Sequence, residues 1–304
     1  MIVSIMRKIN VAVVGVGRLG EIHARIYKEL PEANLIAVCD IDREKLTRVA
    51  ANLGVEAVSN YKDLFGRVEA VSIAVPTNLH FAVARDFLIN HIHTLVEKPF
   101  TPTLKEADVL IRLAKKNNLV LQVGHIERFN SAFAATAKLI KNPRFIECHR
   151  LSPFPNRSLD VGVVLDLMIH DIDIVIGLVN SPIKKIEAVG VRVLTELEDI
   201  ANARITFKNG CICNLTASRV SDEWVRKIRI FLENAYISLD YRNEQAFIYK
   251  KTGLAITKDS LPIEKKEPLK KELSHFIECV ASNKEPLVSG RVARCALAVA
   301  IDIQ

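Results

Sequence analysis

Apolar residues in this chain follow two different patterns. Between Ile9 and Val123, short and continuously apolar runs alternate with longer stretches in which apolar residues recur at helical spacing. Ile9–Val14, Leu35–Asp40, Ala70–Val75, His93–Glu97 and Val120–Val123 read as strands, and Val55–Ala57 as a further short one. Arg18–Leu30, Arg43–Leu53, Phe81–Asn90 and Leu104–Asn117 read as the helices between them. Strands without a period of two, separated by helices, predict a parallel sheet covered on both faces.

After about Gly124 the pattern changes. The stretch Val161–Val179 is apolar almost throughout and predicts one long buried helix. Ile186–Val193, Ala201–Phe207, Cys211–Ser218, Lys227–Glu233 and Tyr236–Asp240 alternate in character and are separated by short turns such as Lys208-Asn209-Gly210. Leu269–Asn283 and the residues from Arg291 onward read as helical. The expectation is an α/β protein: a Rossmann-type dinucleotide-binding domain over 1–123, then an α+β domain over 124–304 with a large, mostly antiparallel open sheet.

Composition narrows the class without choosing a function. The 304 residues are 49% hydrophobic and 25% charged, which excludes a disordered chain and a disulfide-stapled miniature. The net charge of +7 suits an acidic small substrate, and the basic residues form no concentrated block, so no nucleic-acid partner is expected. The six cysteines lack C-x-x-C spacing and read as small buried hydrophobes, with no metal site. No apolar run reaches the ~18 residues of a membrane helix. A soluble, cytoplasmic protein with no membrane partner is expected.

Candidate chemistry starts at Gly15-Val16-Gly17-Arg18-Leu19-Gly20, a G-x-G-x-x-G loop that leaves one predicted strand and opens a helix. The first glycine makes the turn, the second admits a pyrophosphate, and the third lets helix meet strand. Helix N–H groups then face the phosphates. Asp40 lies twenty residues beyond Gly20, at the end of the second strand. Its carboxylate suits ribose hydroxyls and repels a 2′-phosphate, so NAD is favoured over NADP.

Two further strand ends carry polar residues. Pro76-Thr77-Asn78-Leu79-His80 follows one, and Glu97-Lys98-Pro99 ends another. Ligands of doubly wound sheets bind beyond the carboxyl ends of strands, so both are cofactor candidates. Lys98 has the chemistry to hold or protonate a carbonyl oxygen. On the apolar helix, Asp166, His170 and Asp173 are spaced i, i+4 and i+7, which is one helix face. A carboxylate one turn before a histidine orients the imidazole as a general base for an alcohol proton. Asp171 points elsewhere on the helix and is expected to do a separate, structural job.

Together the glycine loop, Asp40, Pro76-Thr77-Asn78-x-His80, Glu97-Lys98-Pro99, Asp166-x-x-x-His170 and the tail Glu285-Pro286-Leu287-Val288-Ser289-Gly290 resemble the Gfo/Idh/MocA oxidoreductase family. The resemblance implies NAD(P)-dependent oxidation of a sugar or cyclitol hydroxyl, and homodimers or homotetramers formed through the C-terminal sheet. It maps the catalytic roles onto Lys98, Asp166 and His170. It maps cofactor contacts onto Gly15, Gly17, Arg18, Leu19, Asp40, Pro76, Thr77, Asn78, His80, Glu97 and Lys98.

A narrower likeness rests on Gly124-His125-Ile126-Glu127-Arg128-Phe129-Asn130, on Ala217-Ser218-Arg219-Val220-Ser221 and on Arg226-Lys227-Ile228-Arg229. It is to the branch that oxidises C3 of UDP-N-acetylglucosamine and passes the product to an aminotransferase in lipid A biosynthesis. Lys98, Arg128, Asn130, Arg157, Asp166, His170 and Arg219 are the expected substrate contacts, with Lys227 and Arg229 as further candidates for the diphosphate. The alternatives are another sugar, a UDP-sugar acid or a cyclitol, or an NAD-binding regulator without turnover.

Overall fold

The computed structural model describes residues 7–154, 161–253 and 255–304. They form two compact units. The first holds residues 7–125 together with Leu269–Arg294, and the second holds Ile126–Pro268 together with Cys295–Gln304.

In the first unit six strands alternate with helices: β1 (Ile9–Val14), α1 (Arg18–Glu29), β2 (Ala33–Cys39), α2 (Arg43–Leu53), β3 (Glu56–Val58), β4 (Ala70–Ile73), α3 (Thr77–Ile89), β5 (His93–Glu97), α4 (Leu104–Lys116) and β6 (Leu121–Gly124). All pair in parallel, in the order β3-β2-β1-β4-β5-β6. This is the doubly wound order, whose direction reverses between β1 and β4. The strands lie inside, as their unbroken apolar runs require: Val11, Val13, Val71, Ile73, Leu95 and Val96 are fully buried.

Local chemistry sets the starts of two of these helices, α2 and α4. The Asp42 carboxylate caps α2 by accepting from the Lys45 N–H (3.1 Å), and Gly54 closes that helix in the left-handed region. Thr103 and Glu106 form a reciprocal capping box on α4. Helix α3 begins at Thr77 and not at Phe81, so Thr77-Asn78-Leu79-His80 is its first turn and not a loop.

The segment after the second sheet returns to the first unit. α7 (Pro268–Ser282) buries Leu273, Phe276 and Ile277. Val123 N–H donates to Val288 O (3.0 Å), Gln122 Nε2 donates to Glu272 O (3.2 Å), and Arg294 pairs with Asp108 (2.5 Å). α8 (Gly290–Ile303) follows.

The second unit carries α5 (Ser131–Ala137), β7 (Phe145–Leu151), α6 (Ile169–Val179), β8 (Ile183–Val191), β9 (Ile200–Phe207), β10 (Ile212–Ser218), β11 (Val225–Phe231), β12 (Ala235–Asp240), β13 (Gln245–Thr252) and β14 (Ala255–Ser260). Its eight strands run β14-β13-β12-β11-β7-β10-β9-β8, with only β7 and β10 parallel. Strand β7, in the middle of this sheet, was not expected. Its inner face reads Ile146, Cys148, Arg150 and its outer face Phe145, Glu147, His149, Leu151, so polarity does not alternate cleanly. α6 packs on the inner face, where Ile172 and Val175 share a core with Ile146, Cys148 and Leu215.

The outer face carries a ladder of rings. Phe145 and Phe231 lie 5.7 Å apart, Phe231 and Tyr236 5.2 Å, and Tyr236 and Tyr249 4.2 Å.

Candidate active site

At the reversal point of the first sheet the glycine loop is dictated by space. Gly15 has φ +88°, and a Cβ there would fall 2.6 Å from Ala74 O. A Cβ on Gly20 would fall 1.8 Å from Gly15 O, so helix and loop meet only through glycine. At Gly17 a Cβ would meet nothing within 4 Å. The loop therefore borders open space, and α1 begins there with no side-chain cap on its N–H groups. Gly17, Arg18, Leu19, Pro76 and Asn78 are exposed around it. Asp40 ends β2 beside the loop. Its Oδ2 accepts from Val16 N–H (2.7 Å) and its Oδ1 from Asp42 N–H (2.9 Å). Each oxygen keeps a lone pair for a ribose hydroxyl. An uncapped helix start, an open cradle at Gly17 and a carboxylate at the next strand end fit an NAD pyrophosphate and ribose.

Two of the expected cofactor contacts are internal. His80 is buried, with Nδ1 2.8 Å from Pro99 O and Nε2 3.0 Å from Val75 O. It ties the end of β4 to the turn after β5, and burial lowers its pKa despite those carbonyls. Glu97 is buried too. Its Oε1 lies 3.2 Å from His23 Nε2 and its Oε2 accepts from Lys98 N–H (3.2 Å). His23 Nδ1 in turn meets Ser72 Oγ (2.7 Å). Burial alone would raise the Glu97 pKa, but its bond to His23, the His23 and Lys98 charges and the Lys98 N–H lower it overall. Glu97 thus anchors the backbone of half-buried Lys98 instead of facing outward.

Glu272 of α7 belongs to the same buried layer. Neither of its carboxyl oxygens has a hydrogen-bond partner among the described residues. Burial, and then the Glu97 charge, push its pKa well above the usual carboxyl range. A carboxyl raised in this way stabilises the fold fully below its unfolded pKa and loses that contribution as pH rises through the folded one. Glu272→Gln is therefore expected to reduce the fall in melting temperature between about pH 5 and about pH 8. Equal pH slopes in the two proteins would place the buried proton elsewhere.

In the second unit the expected single helix Val161–Val179 is broken by a π turn at Val164–Met168, where Ile169 N–H reaches back to Val164 O. Such one-turn widenings recur at functional sites. Its start is capped from a distance: Glu198 Oε1 accepts from Val164 N–H (3.2 Å) and Glu198 O from Val163 N–H (2.9 Å). Gly162 makes room for this carboxylate, which a Cβ would approach to 2.0 Å.

Asp166 in the π turn and His170 in α6 are half-buried. Asp173, expected on their face, is not available. It is buried and takes Arg128 Nε (2.6 Å) and Nη2 (3.1 Å), while Asp173 O takes Nη2 as well (2.7 Å). Gly177 lets that guanidinium lie against α6, since a Cβ there would be 2.4 Å from Nη1. Asp171 has the structural job expected of it. Arg150 clamps it through Nε (2.9 Å) and Nη2 (2.8 Å), gives Nη1 to Glu127 (2.7 Å), and lies 5.6 Å over the Tyr241 ring.

The expected phosphate-binding cations are largely committed. Arg219 is fully buried and donates to Asp199 (2.8 Å), Val161 O (2.8 Å) and Thr195 Oγ1 (2.8 Å). Asp199 also accepts from the Val193, Leu194 and Thr195 N–H groups. These bonds outweigh burial and hold its carboxyl well below the usual range. Arg128 is spent on Asp173. Asn130 is buried as the cap of α5, donating to Tyr241 O (3.2 Å). Lys227 and Arg229 lie on the outer face, near Asp240 (3.9 Å) and paired with Glu147 respectively. Arg157 lies outside the described residues. Sequence reasoning passed over Trp224 and Arg242, which with Arg226 form an aromatic and cationic group at the start of β11.

Among the described residues no three His, Cys, Asp or Glu side chains gather as a metal set, and no helix is long and apolar enough to cross a membrane. Residues 9–125 match the model of an oxidoreductase family with an NAD-binding Rossmann fold, and residues 124–238 match the GFO/IDH/MocA C-terminal domain. The chain is 37% identical over 306 residues to UDP-N-acetylglucosamine 3-dehydrogenase of Acidithiobacillus ferrooxidans, covering 98% of this chain and 97% of that protein. A solved structure of that enzyme superposes with a TM-score of 0.93. Myo-inositol 2-dehydrogenase of Thermotoga maritima is 28% identical, covering 95% and 93% of the two chains. Levoglucosan dehydrogenase in complex with NADH and levoglucosan shares the fold at 18% identity and a TM-score of 0.89, covering 98% of this chain and 96% of that one. With both of its domains matched in order, the chain belongs to the GFO/IDH/MocA family of NAD-binding Rossmann-fold oxidoreductases.

Proposed function

We propose that this protein oxidises the C3 hydroxyl of UDP-N-acetylglucosamine, giving the 3-keto nucleotide sugar. The observation that carries this reading is 37% identity over 98% of the chain to a dehydrogenase of that substrate, in a chain that carries Lys98, Asp166 and His170.

Gly15, Gly17, Gly20 and the N-terminus of α1 hold the cofactor pyrophosphate, and Asp40 holds the adenosine ribose. Pro76, Thr77 and Asn78 border the cofactor at the adjoining strand end. His80 and Glu97 act from behind, fixing the turns that present Asn78 and Lys98. When bound, NAD supplies the oxidised nicotinamide that accepts the hydride. An imidazole nitrogen of His170 takes the C3 hydroxyl proton, and the Asp166 carboxylate favours the resulting imidazolium. Lys98 donates a hydrogen bond to the same oxygen and stabilises its developing negative charge.

The outer sheet face joins copies into a homodimer or homotetramer. The ring ladder and the exposed Val189, Val191 and Ile256 support that part of the reading. The 3-keto product is a substrate for an aminotransferase, consistent with the lipid A setting of the resembling branch.

The test is NADH formation with UDP-N-acetylglucosamine, its uronic acid, myo-inositol and glucose, each with a carbonyl trap to draw the equilibrium forward. Turnover of the UDP-amino sugar alone is the expected result. Turnover of myo-inositol alone would replace this substrate with a cyclitol.

A further inference from the structure

The candidate pair Asp166 and His170 sits on a stretch of helix whose start is held from outside. The first N–H groups of a helix have no partner within it, and here the π turn at Val164–Met168 follows at once. The loop between β8 and β9 supplies the partners. Glu198 O accepts from Val163 N–H (2.9 Å), and Glu198 Oε1 accepts from Val164 N–H (3.2 Å). Arg219 Nη1 donates to Val161 O (2.8 Å).

Two short paths run from these bonds to the candidate pair. Val164 gives its N–H to Glu198 and takes Ile169 N–H on its carbonyl, and Ile169 directly precedes His170. Gly162 O accepts from Asp166 N–H (3.0 Å), so the turn that Glu198 pins at Val163 and Val164 also carries Asp166. A shift of this turn moves both side chains.

Glu198 is itself well fixed. The next residue, Asp199, is fully buried, pairs with Arg219 (2.8 Å), and accepts from Val193, Leu194 and Thr195 N–H at 2.8, 2.6 and 2.9 Å. Asp199 N–H donates to Val191 O (2.9 Å). Two glycines make room for the Glu198 side chain. A Cβ on Gly162 would lie 2.0 Å from Oε1, and a Cβ on Gly190 would lie 3.2 Å from the Glu198 Cβ. Gln304 Nε2 is a second donor to Oε1 (3.2 Å). The partial positive charge of a helix N-terminus favours a carboxylate at this place.

We propose that Glu198 is a positioning residue for the oxidation, holding the π turn through the main chain of Val163 and Val164 so that Asp166 and His170 keep their mutual geometry. A displacement of about 1 Å at the reacting groups can cost on the order of a hundredfold in rate, so a remote residue can have a large effect. The proposal rests on the roles given to Asp166 and His170, and not on which sugar is oxidised.

The test uses whichever compound of the substrate panel the full-length protein oxidises. Glu198→Ala is expected to lower kcat about tenfold to a hundredfold and to change KM by less than about threefold. Glu198→Gln keeps an oxygen that accepts from Val164 N–H and is expected to restore most of the rate. In a His170→Ala background, Glu198→Ala is expected to cost less than about threefold, because its route to the reaction is gone. Full additivity of the two changes would overturn the proposal, as would a native rate in Glu198→Ala. Gly162→Ala is the second variant should Glu198→Ala fail to fold. Its methyl group displaces the flexible tip of Glu198, and the same fall in kcat is expected, with a native rate counting against the proposal. Hydrogen exchange at the Val164 and Ile169 amides is read in the same proteins. Faster exchange in Glu198→Ala, with native exchange in Glu198→Gln, is expected. Equal exchange in all of them would overturn the proposal even where no panel compound is oxidised, an outcome that by itself counts only against the substrate reading. Native turnover by His170→Ala would remove the roles on which the proposal rests.

Discussion

Replacing His170 with alanine is expected to lower turnover by about two to four orders of magnitude, the usual contribution of a positioned general base. That corresponds to roughly 3–5 kcal/mol of barrier. The side chain is half-buried at the start of α6, two residues past the π turn, and the main-chain bonds of the helix do not need the imidazole. The loss should therefore fall on the chemical step and not on folding or on NAD binding, whose residues lie in the first unit. Initial rates of NADH formation, set beside calorimetric NAD titrations, separate the two. A variant that binds NAD normally and turns over at the native rate would remove His170 from the reaction.

The second large effect is on stability. Arg150→Ala is expected to destabilise the protein by about 3–5 kcal/mol, because it strands the buried carboxylates of Glu127 and Asp171. Total stabilities run only about 5–15 kcal/mol, so this is a large fraction. Urea unfolding reads it directly. Adding Glu127→Gln and Asp171→Asn to the Arg150→Ala chain should recover part of the loss, since the stranded charges are what cost most. A single variant within about 0.5 kcal/mol of native, the size of an ordinary surface change, would mean that water reaches the carboxylates.

Much of the first unit was legible in the sequence because strands buried on both faces leave unbroken apolar runs. Asp42, Gly54, Thr103 and Glu106 then mark helix ends with side chains that bond locally. The second unit was less legible. β7 hides because Arg150 occupies its inner face and Phe145 and Leu151 its outer face, the reverse of the usual polarity. The Asp166–His170–Asp173 stripe assumed a uniform α-helix, and both the π turn and the Arg128 pair depart from that assumption. A sequence shows that an arginine is present, but not whether an aspartate folds against it. Arg219 meets Asp199 across 20 residues and Arg128 meets Asp173 across 45. The exposed Trp224 had no periodicity to mark it.

The return of Leu269–Arg294 to the first unit has a consequence for biosynthesis. The ribosome makes residues 7–125 early, but the helix that buries Leu273, Phe276 and Ile277 emerges only after the whole second sheet. At ordinary elongation rates that interval is on the order of ten seconds. During it the nascent nucleotide-binding unit carries an uncovered apolar flank and waits for its last piece. Chaperone dependence should therefore concentrate in that interval of translation, and the arrival of Leu269–Arg294, not the making of the early strands, sets the moment at which the unit is complete.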